Sequence, residues 1–338
     1  MSSLWTESEF KDIEAKIESR QPLRADEARR LASSKNLPYL GALATRVRER
    51  ISEKKVYVTT YIGSLLQDNA LQQLNRIKNT GTGVQTQLKA DEMHVFYANG
   101  PLQDWDTAYH ENFVNLLERC EASQKKCFSL YDLNALEPEQ RQTLIQNTLK
   151  PAGITELSEG ELACALPNSY KGKTISFDRV MALHVELRQQ GLYSDVAFEI
   201  HPNMTEDELI SKLSQLRILQ LGNSVLNRIV ITIPFNKEMF GKMQIPVDGI
   251  TMLHYLAIIR IFMESVNRIA ISWALQDPKL AQTTLSFGVN DLGAVWSSEL
   301  LAKEKPEGVL GVGRQKEIQK MIDGIGGQMI SRKAVYAS

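Results

Sequence analysis

In the segment EIHPNMTEDEL, Glu199 and His201 stand two positions apart at the end of an apolar run. Histidine titrates near neutral pH and a carboxylate can orient it, so the two form a candidate general acid–base pair. The structural alternative makes Asn203 or Thr205 a helix N-cap and leaves both side chains in a solvated loop. No other constellation has the spacing of a known reaction centre. The three cysteines, Cys120, Cys127 and Cys164, include no CxxC pair, and their odd number argues for buried free thiols rather than a disulfide framework. His94, His110, His184 and His254 are dispersed without metal-ligand spacing. GVLGVGRQ contains only part of a dinucleotide loop and reads as a loop near the C-terminal end.

The elements that must hold these residues alternate. Glu9 stands three positions after Thr6, as in a capping box, and helices are expected over 24–33 and 37–51. Strand-like segments follow at Val56–Ile62, Met93–Ala98, Cys127–Asp132, Ile154–Leu157, Val196–Ile200, Ile229–Ile233 and Ile269–Leu275, with amphipathic stretches between most of them. Such alternation implies parallel βαβ units. Seven or eight of them without a linker fit a TIM-like (β/α) barrel with N-terminal helices, an open doubly wound sheet being the alternative. The expected division is a helical segment over 1–52, a barrel over 53–300 and an extension over 301–338 that holds a short helix and a final strand.

Barrel enzymes place their chemistry at the C-terminal ends of the strands. Those ends supply Tyr61, Asn99, Tyr131, Asp132, Glu156, Glu199, His201, Asn236, Trp273, Gln276, Asn290 and Asp291. This polar ring with aromatic members suits an aromatic or nucleoside ligand. Trp273 is also read as barrel packing, and Lys279 and Gln282 as parts of a helix that begins at Pro278.

The order of segments resembles a family. ALATRVRERI…KVYVTTYI (Ala42–Ile62) and DPKLAQTTLSFGVNDLGA (Asp277–Ala294) resemble the first-strand region and the C-terminal signature, GPKxxQxxLxFGAxDLxG, of the radical S-adenosylmethionine enzymes of the futalosine route to menaquinone, closest to aminofutalosine synthase. SFDRVMALHVELRQQGLYSDVAFEIH and IVITIPFN follow in the family's order, so the resemblance spans most of 38–298. It implies a radical-enzyme barrel. It also implies a role for Asp291, either bonding a ribose hydroxyl or capping the turn before Ala294, and a ligand that is an aromatic acid or a nucleoside.

Two departures set the chain apart. The family carries a CxxxCxxC loop after the first strand, because soft thiolates hold its iron–sulfur cluster. Residues 63–92 contain no cysteine. Where the family has a glycine pair before a proline, this chain has Tyr97-Ala98-Asn99-Gly100-Pro101, and tyrosine does not allow the backbone approach that glycine does. No cofactor is therefore expected, the cluster is expected to be absent, and S-adenosylmethionine binding is disfavoured. Three functions compete: a barrel of altered chemistry or ligand binding only; a pseudoenzyme partner or regulator of an intact radical enzyme; and, third, an active enzyme with an atypical cluster.

With 338 residues, 43% hydrophobic and 23% charged, the chain reads as an ordinary globular protein. A formal net charge of −1 argues against nucleic acid or an anionic membrane as partner. MSSLWTESEFKDIEAK has neither a basic start nor an apolar core, so a cytoplasmic location is expected. The most apolar run, Ile250–Met263, is broken by His254 and Arg260 and suits a buried helix better than a membrane span. Homo- or hetero-oligomers both remain open.

Overall fold

Three helices come first, and their starts follow from side-chain chemistry. In the computed structural model, which describes residues 8–65, 92–95, 125–129, 136–151, 156–158, 177–223, 226–232, 247–271, 278–296 and 315–331, these are α1 (Lys11–Glu18), α2 (Ala25–Ala32) and α3 (Leu37–Ser52). The N–H of Arg24 donates to Glu27 Oε2 at 2.9 Å, which secures the first turn of α2. Asn36 Oδ1 accepts from the N–H of Tyr39 at 3.1 Å, with Pro38 in the first turn of α3. Thr6, the expected cap upstream of α1, lies outside the described residues.

The barrel strands are β1 (Lys55–Leu65), β2 (Glu92–Val95), β3 (Lys125–Ser129), β4 (Glu156–Ser158), β5 (Tyr193–Glu199), β6 (Leu226–Thr232), β7 (Arg268–Ile271) and β8 (Asp291–Trp296), and β9 (Gln328–Ser331) joins the same sheet. Among the described residues every pairing in this sheet is parallel. The order runs β2-β3-β4-β5-β6-β7-β8-β1, and β1 also pairs with β2, so the eight strands close on themselves. The helices interleaved with them are α4 (Pro138–Leu144), which continues as a π-helical turn, α5 (Phe177–Gln189), α6 (Glu206–Asn223), α7 (Gly249–Phe262) and α8 (Pro278–Thr284); α9 (Gln315–Gly324) precedes β9.

The apolar run at 250–263 becomes α7, which is buried on nearly every side. It packs against α2 and α3 and shares their core with the strands, so from Met252 to Phe262 it has almost no solvent face for a polar stripe to occupy, whereas Ile250 at its start is exposed. Asp248 Oδ1 starts it by accepting from Thr251 N at 2.9 Å. The N-terminal helices and the outer faces of the strands share one hydrophobic core.

One expectation is corrected. GVNDLG reads in the sequence as a turn, but the turn is made earlier, at Gly288, whose φ is +95°. Asp291–Trp296 is strand β8, squeezed between β7 and β1. Its glycine serves a bulge instead. Tyr57 pairs with Asp291 and Thr59 with Ala294, so two residues of β8 oppose one of β1, and Gly293 takes a φ of +67° there.

Candidate functional site

Side chains alternate across a strand, and the core fixes which face is which. Val56, Val58, Val196, Phe198, Ile229, Ile231, Ile269, Ile271 and Leu292 belong to the core shared with the surrounding helices. Their neighbours therefore point into the barrel: Tyr57 on β1, Asp195, Ala197 and Glu199 on β5, Arg228 and Val230 on β6, Arg268 and Ala270 on β7, and Asp291 on β8. These fall into layers, because Asp195 pairs with Arg228, Arg228 with Arg268, Ala197 with Val230, and Val230 with Ala270.

The lowest layer is charged. Arg228 Nε lies 2.5 Å from Asp195 Oδ2, and its Nη1 lies 3.5 Å from Asp291 Oδ2. All three side chains are fully buried. Arg268 is buried beside them, its guanidinium 5.6 Å from the centre of the Tyr57 ring. A TIM barrel usually fills this space with branched apolar residues. Here two arginines and two aspartates form its floor, and their opposite charges offset the cost of removing each from water.

Above the floor the walls become small. Ala197, Val230 and Ala270 form the next layer on β5–β7, and Ala197 is only half-buried although it faces inward. Glu199, one layer higher at the C-terminal mouth, is exposed. On this side the inward residues thus run from an ionic floor, through a layer of small apolar side chains of which only Ala197 is partly exposed, to the exposed Glu199 at the mouth. A flat ring suits such walls, and a carboxylate at the mouth accepts hydrogen bonds from hydroxyl or amino groups.

The sequence-expected residues distribute as follows. Glu199 stands at this mouth. His201 is turned to a different carboxylate: its Nε2 lies 3.2 Å from Glu208 Oε1 in the first turn of α6. Lys212 Nζ reaches the same oxygen at 2.7 Å, and the hydrogen bonds from Lys212 and His201 hold the Glu208 carboxyl below its usual range. Asn290 and Asp291, expected at a C-terminal strand end, sit instead at the N-terminal start of β8. Asn290 is fully buried and saturated on the outer side of the barrel: its Oδ1 accepts from Arg260 Nη2 at 2.9 Å and Ile269 N at 3.0 Å, and its Nδ2 donates to Asn267 O at 2.9 Å. Asp291 Oδ1 accepts from Gly293 N at 2.8 Å while its Oδ2 faces Arg228, so both oxygens serve the barrel itself. Glu156 likewise begins β4 rather than ending it. Tyr61 lies in the upper half of β1, paired with Glu92 and Trp296. Tyr97, Asn99, Tyr131, Asp132, Asn236, Trp273 and Gln276 lie outside the described residues.

Two buried side chains outside the lumen explain why the framework is rigid there. Arg260, on α7, donates to Gly288 O at 2.7 Å, Val266 O at 2.9 Å and Asn290, and burial, with Arg48 nearby, pushes it down to about 9. His184, on α5, places Nδ1 2.6 Å from Ser194 Oγ at the base of β5; burial lowers it to about 4, with the Asp195 charge opposing the shift. A separate concavity of about 400 Å³ lies on the outer surface, lined by Arg29, Met204, Thr205, Glu206, Asp207 and Tyr255. The Arg29–Asp207 ion pair at 2.7 Å and the Tyr255 hydroxyl donating to Met204 O at 2.7 Å tie its walls together.

Of the floor residues, sequence reasoning named Asp291 but missed Asp195, Arg228 and Arg268, although a signal existed. Asp195-Val-Ala-Phe, Arg228-Ile-Val-Ile and Arg268-Ile-Ala-Ile each put one charge at the head of a buried apolar strand. Charges are rare at such positions unless paired.

No family model matches the chain. Among curated proteins it is 25% identical, over 213 residues, to 5-amino-6-(D-ribitylamino)uracil–L-tyrosine 4-hydroxyphenyl transferase 2 of Methanosarcina acetivorans, the match covering 63% of this chain. The chain matches 51%, about half, of that relative's length. Among solved structures it superposes on methylornithine synthase (PylB) with a TM-score of 0.64 at 16% identity, covering 94% of this chain and 96% of that one. It superposes on the [FeFe]-hydrogenase maturase HydG with a TM-score of 0.67 at 13% identity, covering 98% and 78%. The fold is therefore a TIM-like (β/α) barrel.

Proposed function

We propose that the chain is a divergent barrel of the radical S-adenosylmethionine type that binds an aromatic acid or a nucleoside in its lumen, on the futalosine route to menaquinone, without an iron–sulfur cluster. The observation that supports this reading is the small inward side chains of Ala197 and Ala270 above the Asp195–Arg228–Asp291 floor, with Glu199 exposed at the mouth. Between the two ligand classes the mouth favours the nucleoside, because Glu199 accepts from ribose hydroxyls and repels a carboxylate. The name of the curated relative pairs an aromatic amino acid with a heterocycle that bears a polyhydroxylated ribityl chain, which shares the heterocycle and hydroxyl groups of a nucleoside without its glycosidic bond.

The donor set for a cluster does not fit. β1 ends at Leu65 and β2 begins at Glu92, and the connecting residues 66–91, where the resembled family carries its cysteines, include none. Cys127 belongs to β3, where it pairs with His94 and Glu156, and Cys120 precedes that strand.

Two measurements test the reading together. Anaerobic reconstitution should leave negligible protein-bound iron and sulfide, whereas stoichiometric cluster with adenosylmethionine cleavage would refute it. Aminofutalosine at about 100 times its Kd should stabilise the native state by about 2.7 kcal/mol, seen as a raised Tm that Glu199→Gln diminishes. A second reading, a cytoplasmic partner of an intact radical enzyme, draws on Ile218 and Leu221, which are exposed one turn apart on α6. It predicts stable co-purification with that enzyme and no Tm response to any pathway metabolite.

A further inference from the structure

We infer that α9 and β9 form a detachable clasp that closes the lower half of the barrel seam and keeps its ionic floor dry. Strand β1 has two edges. On one, Tyr57–Tyr61 pair with β8. On the other, Lys55–Val58 pair with β9, and β2 takes over only from Tyr61 upward. The eight-stranded ring therefore closes through β1 and β2 in its upper half alone, and the ninth strand fills the gap below. Without β9, that stretch of β1 would present unpaired N–H and C=O groups beside Tyr57, the residue that carries Arg268 of the floor. Ile330 pairs with Tyr57 and so shares its inward face, while Met329 pairs with Val56 and packs on the core.

Among the described residues the clasp is held by a short apolar contact and one ladder. Ile318 and Ile322 of α9 are fully buried, Met321, Ile325 and Met329 pack against the same core, and Gln328 N donates to Lys54 O at 2.7 Å. The turn between α9 and β9 needs its glycines: Gly326 has a φ of +68°, and a Cβ on Gly327 would lie 2.9 Å from Ile322 Cγ2 and 3.2 Å from Ile322 O. Four residues of ladder and this short apolar contact make a smaller cooperative unit than β5 and β6, which are longer, centrally placed and covered by α5 and α6. Opening of the clasp is consequently expected before the barrel as a whole unfolds, and it admits water to Tyr57 and the floor from the side opposite the mouth.

Residue-resolved hydrogen exchange on the full chain tests this. Tyr57 N donates across to Asn290 O at 2.8 Å on the β8 side, so by alternation the amides of Val56 and Val58 face β9. In the unmodified protein, Val56, Val58 and Ile330 should exchange together, about tenfold or more faster than Val196 and Ile229. Gly327→Val should accelerate Val56 and Val58 by a further tenfold or so and leave Val196 and Ile229 within about twofold. Uniform exchange across the sheet in the unmodified protein would make β9 an integral strand and overturn the clasp. Unchanged protection of Val56 and Val58 in Gly327→Val, with Ile330 accelerated, would overturn it equally.

Discussion

Replacing Arg228 with methionine is the sharpest probe of the barrel floor. Arg228 lies 2.5 Å from Asp195 and 3.5 Å from Asp291, and none of the three side chains touches solvent. Methionine keeps much of the arginine stem's volume, so packing loss is small and the change is chiefly electrostatic. Removing one partner from a dehydrated ion cluster typically costs about 3–5 kcal/mol, against about 0–1 kcal/mol for a pair exposed to water. Urea unfolding followed by far-UV circular dichroism at pH 7 should therefore show a midpoint lowered by about 3–5 kcal/mol of stability at an unchanged slope. A loss below about 1 kcal/mol would mean that water reaches the floor, and the reasoning about a dry base would fail.

Three further outcomes are expected. His184 is held neutral down to about pH 4 against an ordinary value of 6.5, so the unfolded chain binds the extra proton between those limits; stability should fall by about 2 kcal/mol between pH 7 and pH 5, and His184→Gln should flatten that slope in urea titrations. Gly288→Ala must place a Cβ 2.4 Å from Arg260 Cβ at a φ of +95°, and the same titration should register a loss of at least about 2 kcal/mol. Ala197→Leu enlarges a half-buried inward position beside the buried Val230 and Ala270, so it should cost about 1–3 kcal/mol and abolish the ligand-induced rise in Tm; an undiminished rise in the folded variant would place the ligand elsewhere.

Much of the fold was legible because it is written in local periodicity. The helices expected over 24–33 and 37–51 appear as Ala25–Ala32 and Leu37–Ser52, and the seven expected strands all have counterparts in the sheet. The eighth was not legible. Asn-Asp-Leu-Gly carries turn residues, but the aspartate and glycine bond to each other inside a bulge, a conformation that neighbouring strands impose. His201 follows the C-terminal end of β5, and its partner, Glu208, comes from the helix that follows rather than from the strand that precedes it.

By itself, the sequence determined the alternation of strand and helix, the buried character of 250–263, and the absence of a CxxxCxxC motif, since each depends only on residue type and spacing. Tertiary structure decided which end of each strand a residue occupies and which charges meet. Asp195, Arg228 and Asp291 lie far apart in the chain and become one ionic floor only when parallel strands fall into register around a closed barrel. The same closure turned Asp291 and its neighbour Asn290 away from the mouth where the sequence had placed them. A one-residue difference in where a strand begins shifts a side chain between faces, and burial between neighbouring strands, not local propensity, fixes that choice.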